Sequence, residues 1–173
     1  MATSSRGRSV QLTKQIGEHL VAAELGRRQF IAAPFAGNVP LFDLLAASEH
    51  GHAVPVQVKT SNGYSWHLNV DQHLEIEMDG QMQVVKGKKS LPNPRLICVY
   101  VMLNANIKDD FYILLLSDVQ HIAFREYKTR IRPKNPTSKH FAMYPEWLQD
   151  FKDNWSLLDR ELEAPQSPVT GNR

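Results

Sequence analysis

Two short apolar segments on either side of a glycine constrain the fold of this chain more than any other feature. Residues 44–48 are apolar or small, residues 54–60 are rich in valine, and Gly51 lies between them. This arrangement predicts an antiparallel β-hairpin. A turn centred near Gly51 places Asp43, just before the first strand, opposite a residue between 57 and 59.

Side chains alternate along a strand, so Gln57 and Lys59 are expected on one face of the hairpin and the valines between them on the other. The predicted register brings Asp43 close to Gln57 and Lys59, whereas a slip of one residue would turn Asp43 to the opposite face. Charged groups are costly to bury among valine and leucine. The patch is therefore interpreted either as a functional site or as a cross-strand ion pair at the end of the sheet.

The order Asp43, then Gln57-Val58-Lys59, resembles the PD-(D/E)xK nuclease superfamily, with glutamine in the second acidic position. In the form Gln-Val-Lys-Thr-Ser it is similar to small restriction-endonuclease-like and homing-endonuclease-like proteins. The resemblance implies an α/β fold, in which helices flank a mixed central sheet with a restriction-endonuclease-like α-β-β-β-α-β core. It also implies that an acid on the first helix completes the site. Glu18 matches that position, with Glu24 as the alternative.

The first helix is predicted to begin at Ser9, which can cap it, and to extend to about Arg28. Glu18 lies beside a stripe at helical spacing that is expected to pack on the sheet, so Glu18 is either a site residue or a solvated glutamate at the stripe's edge. The stripe comprises Leu12, Ile16, Leu20 and Ala23, and Glu18 forms a neighbouring stripe with Val21, Ala22 and Leu25.

The resemblance also implies the chemistry of the site. Mg²⁺ is the expected cofactor, with Mn²⁺ as a substitute, because hard cations prefer oxygen ligands and often use only one or two carboxylates. Asp43 would be the main ligand, with the Gln57 amide oxygen and the Val58 carbonyl beside it. Lys59 would orient the attacking water or stabilise the transition state. Glu18 would hold a metal-bound water or act as a base.

Nucleic-acid contacts are predicted in two basic clusters and one aromatic cluster. Residues 86–94 are basic with two prolines and are expected to form a loop that contacts phosphate, and the second basic cluster follows residue 124. Aromatic residues just after the lysine-bearing strand could stack on a base or cover the strand end. His67 beside them could assist proton transfer. The predicted contacts are Lys86, Lys88, Lys89, Arg125, Arg130, Arg132, Lys134, Tyr64 and Trp66.

Length and composition favour one cytoplasmic domain. The chain of 173 residues has a net charge of +2 and one cysteine, so an internal disulfide is excluded. No apolar segment reaches the length of a membrane span. The predicted division is a disordered tail at 1–8, a single nuclease-like domain at 9–160 and a disordered tail at 161–173. The second half should contain strands at 95–103 and 111–116 and helices at 117–128 and 145–158.

The sequence thus predicts a Mg²⁺-dependent DNA endonuclease, acting as a homodimer or larger homo-oligomer. The alternative is a catalytically inactive nucleic-acid-binding module of the same fold, because Gln57 removes one negative charge and lowers the expected metal affinity. A structural protein with an Asp43–Lys59 ion pair is the third hypothesis. Other enzyme classes are disfavoured, since GxxxxGK[ST], GxSxG and HExxH are absent from the sequence.

Overall fold

The structure is a computed structural model that describes residues 3–35, 41–105, 108–127 and 137–163. The elements in chain order are α1 (Thr3–Arg27), β1 (Ile31–Pro34), β2 (Leu44–Ala47), β3 (Ala53–Ser61), β4 (Trp66–Asn69), β5 (Leu74–Asp79), β6 (Met82–Lys88), β7 (Ile97–Met102), β8 (Asp110–Leu115), α2 (Leu116–Tyr127), β9 (His140–Met143) and α3 (Ser156–Glu163). None of the helices in these ranges combines the length and apolar character of a membrane-spanning helix.

Five strands form a mixed central sheet in the order β1-β2-β3-β7-β8. β3 and β7 are parallel, and the other neighbouring pairs are antiparallel. All six residues of β7 are buried, as expected for a strand covered on both faces. The predicted α/β class with a mixed sheet flanked by helices is confirmed. The connection from β3 to β7 passes through β4, β5 and β6, and α2 follows β8.

The hairpin of β2 and β3 has a register that the sequence allows. Leu44 lies opposite Val56 and Ala47 opposite Ala53. The backbone N–H of Asp43 donates to the Val56 carbonyl at 2.9 Å. Asp43 therefore continues the ladder next to residue 57, within the predicted range.

Helix α1 packs on the sheet through the stripe that contains Val21 and Leu25 rather than through the one that begins at Leu12. It begins at Thr3 rather than Ser9, and its buried residues are Gly17, Val21 and Leu25. Leu12 and Ile16 are 52% and 47% exposed, so the prediction that their stripe packs on the sheet was wrong. The closest contact is made by Gly17, which contributes no hydrophobicity to either stripe.

Two hydrophobic cores lie on opposite faces of the sheet. Alternate residues of β7 face one core or the other, Ile97 and Val99 towards α1 and α3, and Cys98 and Tyr100 towards α2. Val56 and Val58 belong to the α1 side. By the register of β3 with β7, Gln57 and Lys59 lie on the face that carries Cys98 and Tyr100.

Two further predictions about secondary structure were wrong. Residues 145–158 do not form one helix, but two 3₁₀ turns followed by α3, with Asp153 at a φ of 51° in the break between them. The aromatic side chains are therefore divided, Trp147 and Phe151 against the α2 core and Trp155 in the α1 core. The lysines at 86 and 88 lie in β6 rather than in a loop, because they pair with β5 across the Gly80 turn.

Candidate active site

The candidate site lies where β3 extends past the end of β2. β2 begins at Leu44, opposite Val56, while β3 continues to Ser61. The Val58 N–H is directed to the β2 side and donates to Oδ2 of Asp43 at 2.8 Å. In a β-strand the N–H and C=O of one residue point the same way. The Val58 carbonyl therefore faces the same edge as Asp43, and the fold brings these two predicted ligands together.

A lysine that the sequence analysis did not identify joins Asp43 to Glu18. The Nζ atom of Lys14 lies 3.0 Å from Oδ1 of Asp43 and 3.4 Å from Oε1 of Glu18. The two carboxylate side chains are only 13% and 14% exposed, whereas Lys14 is 48% exposed. The hydrogen bond to Asp43, and the charges of both carboxylates, raise the pKa of Lys14 against the opposing effect of burial. Lys14 is thus a charged partner shared by both acids.

The alternative helix acid, Glu24, is occupied elsewhere. Its carboxylate forms ion pairs with Arg27 and with Arg28, the latter at 3.6 Å. Arg27 is the last residue of α1, and Arg28 follows it. Of the two acids, Glu18 is the one that shares a partner with Asp43.

Gly17 allows α1 to reach the site. A Cβ atom at this position would lie 1.8 Å from Oγ1 of Thr60, far inside any real contact distance. The helix backbone therefore lies directly on β3, which carries Lys14 and Glu18 to Asp43. A glycine inside a helix costs roughly 1 kcal/mol relative to alanine. A glycine in the middle of a helix of good helix formers therefore indicates a close contact at that position, and this signal could have located the contact with β3.

Gln57 supports the segment that precedes Asp43. Its Nε2 donates to the Leu41 carbonyl at 3.2 Å. Leu41 has a φ of 81°, a backbone conformation that non-glycine residues rarely adopt and that must be held by its surroundings. One role of this amide is therefore to fix the backbone that presents Asp43, and its oxygen remains the group that could ligate a metal.

Lys59, the residue after Val58 on β3, does not pair directly with Asp43 in the described part of the chain. Among the ion pairs of the described residues, the ammonium group that contacts Asp43 is that of Lys14. The Asp43–Lys59 ion pair of the structural hypothesis is therefore not formed. Lys59 instead lines an open groove of about 580 Å³ together with Lys14, Thr13 and the segment up to His67. Burial, assisted by the charge of Lys59, lowers the pKa of His73 to about 4.

The aromatic residues after β3 differ in their placement. Tyr64 is 91% exposed at the groove, as a contact residue requires. Trp66 is only 2% exposed, and its indole N–H donates to the Val101 carbonyl at 3.0 Å. The prediction that Trp66 contacts nucleic acid was therefore wrong, because its ring packs edge-on against Tyr100 in the core. His67 is exposed and stacks on His140 with ring centres 4.6 Å apart.

The lysines of the predicted phosphate-contacting loop have protein partners. Lys86 pairs with Glu77 at 3.3 Å, and Lys89 pairs with Asp71 at 3.4 Å. Nζ of Lys88 contacts Nδ1 of His121 at 3.0 Å and lies over the Phe124 ring. Arg125 pairs with Glu126 at 2.7 Å. The other three predicted contacts, Arg130, Arg132 and Lys134, lie outside the described residues.

The residues present fit a hard divalent cation that keeps much of its water. In the described ranges, no three His, Cys, Asp or Glu side chains lie close enough together to hold a metal by themselves. The available donors are the carboxylates of Asp43 and Glu18, the Val58 carbonyl and the Gln57 amide oxygen. An all-oxygen set with two acids suits Mg²⁺ or Mn²⁺. Neutral oxygens and water would complete the coordination.

The five-stranded mixed sheet with its flanking helices is a restriction-endonuclease-like fold. No protein-family model and no curated protein sequence matches this chain. Among solved structures, the fold is similar to that of the bacterial homing endonuclease I-Ssp6803I, with a TM-score of 0.52 over 92% of this chain and 99% of that one. The two sequences are 11% identical, so the likeness is one of fold alone.

Proposed function

We propose that this protein is a metal-dependent endonuclease that hydrolyses DNA phosphodiester bonds at the open edge of β3. The observation that carries the proposal is the meeting of two mostly buried carboxylates, Asp43 and Glu18, from separate elements at the Val58 edge. Lys59 follows one residue later on the same strand and lines the adjoining groove. Such a concentration of charge at a groove is typical of a functional site.

Each residue has a role that follows from its position. Asp43, the Val58 carbonyl and the Gln57 amide oxygen would hold the cation, which when bound polarises the phosphate and lowers the pKa of water. Glu18 would orient a water molecule from the helix side. Lys59 lines the groove, where its ammonium would stabilise the negative charge that develops on the phosphate.

The groove supports a nucleic-acid backbone as the substrate. Its lining combines two lysines with several hydroxyl-bearing residues, the residue types that contact phosphate and sugar oxygens. Tyr64 stands exposed at this groove and would contact a base or sugar. DNA is proposed because the structure that this fold resembles belongs to a homing endonuclease. The polar residues that line the groove are Ser9, Thr13, Lys14, Lys59, Thr60, Ser61, Asn62, Tyr64, Ser65 and His67.

A catalytically inactive nucleic-acid-binding module is the second candidate. The contact between Gln57 and the Leu41 carbonyl favours it, because this amide has a structural task that needs no metal. In such a protein the groove would bind DNA in a salt-sensitive manner without cutting it.

The test is nicking of supercoiled DNA in Mg²⁺ and in Mn²⁺ by the wild type, Asp43→Asn and Lys59→Met. Asparagine keeps an oxygen for the Val58 N–H, so the fold should survive while the charge is lost. We expect each variant to cleave at least about a hundredfold more slowly, the usual effect of losing one catalytic electrostatic group. Lys86→Met is the matched control, because Lys86 pairs with Glu77 on the β5–β6 hairpin and not with a residue of the candidate site. This variant should cleave DNA at the wild-type rate.

The two candidate functions give different results. Normal cleavage by both Asp43→Asn and Lys59→Met would exclude this site. Salt-sensitive DNA binding by the wild type, with no cleavage in either metal, would establish the inactive module instead.

A further inference from the structure

Lys14 is bound at the atoms that a metal ion would need. One oxygen of Asp43, Oδ2, already accepts the Val58 N–H, and the other, Oδ1, accepts the Lys14 ammonium at 3.0 Å. The same ammonium lies 3.4 Å from Oε1 of Glu18. The site thus holds a cation of its own, supplied by helix α1.

We propose that Lys14 is a displaceable counter-cation, which leaves Asp43 and Glu18 when a divalent ion binds and moves into the groove. The inference rests on the proposed function, because it assigns the same two carboxylates to the metal. An ammonium and a divalent ion cannot share these oxygens at low cost, since like charges a few ångströms apart repel strongly. Lys14 therefore competes with the metal.

The side chain of Lys14 is suited to this exchange. It is 48% exposed, whereas the carboxylates that it contacts are 13% and 14% exposed. It also lines the groove that contains Lys59, so the released ammonium has a place close to the expected phosphate. A lysine carries a compact charge on a flexible stem and can change partners without moving the helix.

The charges explain what a resident ammonium achieves. Without it, Asp43 and Glu18 would be two like charges held close together and largely out of water, where they repel each other strongly. With Lys14 in place the three groups carry a single negative charge, and both acids stay ready to bind a metal. A monovalent ion gains little by replacing an ammonium of equal charge. Lys14 therefore selects for divalent ions.

The experiment measures Mn²⁺ affinity by electron paramagnetic resonance without DNA, for the wild type, Lys14→Met and Lys14→Arg. We expect Lys14→Met to bind Mn²⁺ about tenfold more tightly, because the competing charge is removed, and Lys14→Arg to resemble the wild type. The metal-free Lys14→Met protein should also melt at a lower temperature, and Mn²⁺ should raise its melting temperature more than that of the wild type. Asp43→Asn in the Lys14→Met background should abolish the gain.

Equal or weaker Mn²⁺ binding by Lys14→Met would overturn the displacement proposal, and so would failure of both proteins to bind the ion. The outcome is separable from the cleavage test. A tenfold gain in a protein that cuts no DNA would retain the displacement and reject the endonuclease. Cleavage that depends on Asp43, with unchanged Mn²⁺ affinity in Lys14→Met, would retain the endonuclease and reject the displacement.

Discussion

Two groups of charged side chains in this molecule look alike in the sequence and differ in the structure. In the first, at the open edge of β3, two mostly buried carboxylates share the Lys14 ammonium, and their charges are not balanced. In the second, around β6, Lys86 and Lys89 each have a carboxylate partner at the surface. The acids of the second group are 69% and 44% exposed, as is typical of ion pairs on an ordinary solvated face. Burial of the carboxylates, held by packing, distinguishes the candidate site.

The comparison also shows that the two groups depend on different forces. The β6 lysines are stabilised by water and a nearby carboxylate, so their side chains can change position at little cost. The carboxylates at β3 are held by the approach of α1 to Thr60 and by the hydrogen bond from the Val58 N–H. Changes to packing should therefore disturb the first group far more than the second.

The largest expected effect comes from Gly17→Val. A valine here must displace β3 or the helix, because even a Cβ would lie 1.8 Å from Thr60. Overpacking of this kind costs about 2 to 3 kcal/mol, and the shift should separate Lys14 and Glu18 from Asp43. Chemical denaturation and Mn²⁺ binding measure the two consequences. Gly26→Val is the matched control, since no atom lies within 4 Å of a Cβ there. Equal losses in both variants would show that the helix does not position the site.

An intermediate effect is expected from pH, through the buried histidine that supports the β6 region. His73 has a pKa lowered to about 4, mainly by burial, against 6.5 when unfolded. Its contribution to stability is therefore complete above pH 6.5 and is lost as the pH falls towards 4. The free energy of unfolding should drop by about 2 kcal/mol between pH 7 and pH 5.

Denaturation at the two pH values, with His73→Leu and His50→Gln, checks this prediction. His73→Leu should lose most of the pH dependence because the buried imidazole is removed. His50 has a side chain that is 78% exposed, and its variant should keep the wild-type dependence. A His73→Leu protein with an unchanged pH dependence would assign the effect to other groups.

The smallest effect is expected at the surface pair of Lys86 and Glu77. Their side chains are 52% and 69% exposed, so the pair is screened by water and salt. Lys86→Met should change the free energy of unfolding by less than about 0.5 kcal/mol. A loss above about 1 kcal/mol, or a strong loss of DNA binding, would remove the distinction drawn between the two groups of charges.

Much of the fold could be predicted from local patterns. The valine-rich strand, the glycine turn and the alternation of side chains sufficed for the β2–β3 hairpin and for placing Asp43 opposite a residue between 57 and 59. The buried strand β7 followed from its continuous apolar character. The aromatic spacing at 147, 151 and 155 gave a wrong prediction of one continuous helix, because two 3₁₀ turns and the break at Asp153 interrupt the helical period.

The sequence by itself therefore predicted the β2–β3 hairpin and the strand that carries Gln57 and Lys59, because these depend on neighbours a few residues away. Only the tertiary structure decided which face of α1 packs on β3, that Lys14 links Asp43 to Glu18, and that Trp66 is buried. Those outcomes depend on packing between elements that are distant along the chain. For α1 and β3, the distance of approach is set by the missing side chain of Gly17, which no hydrophobic period records.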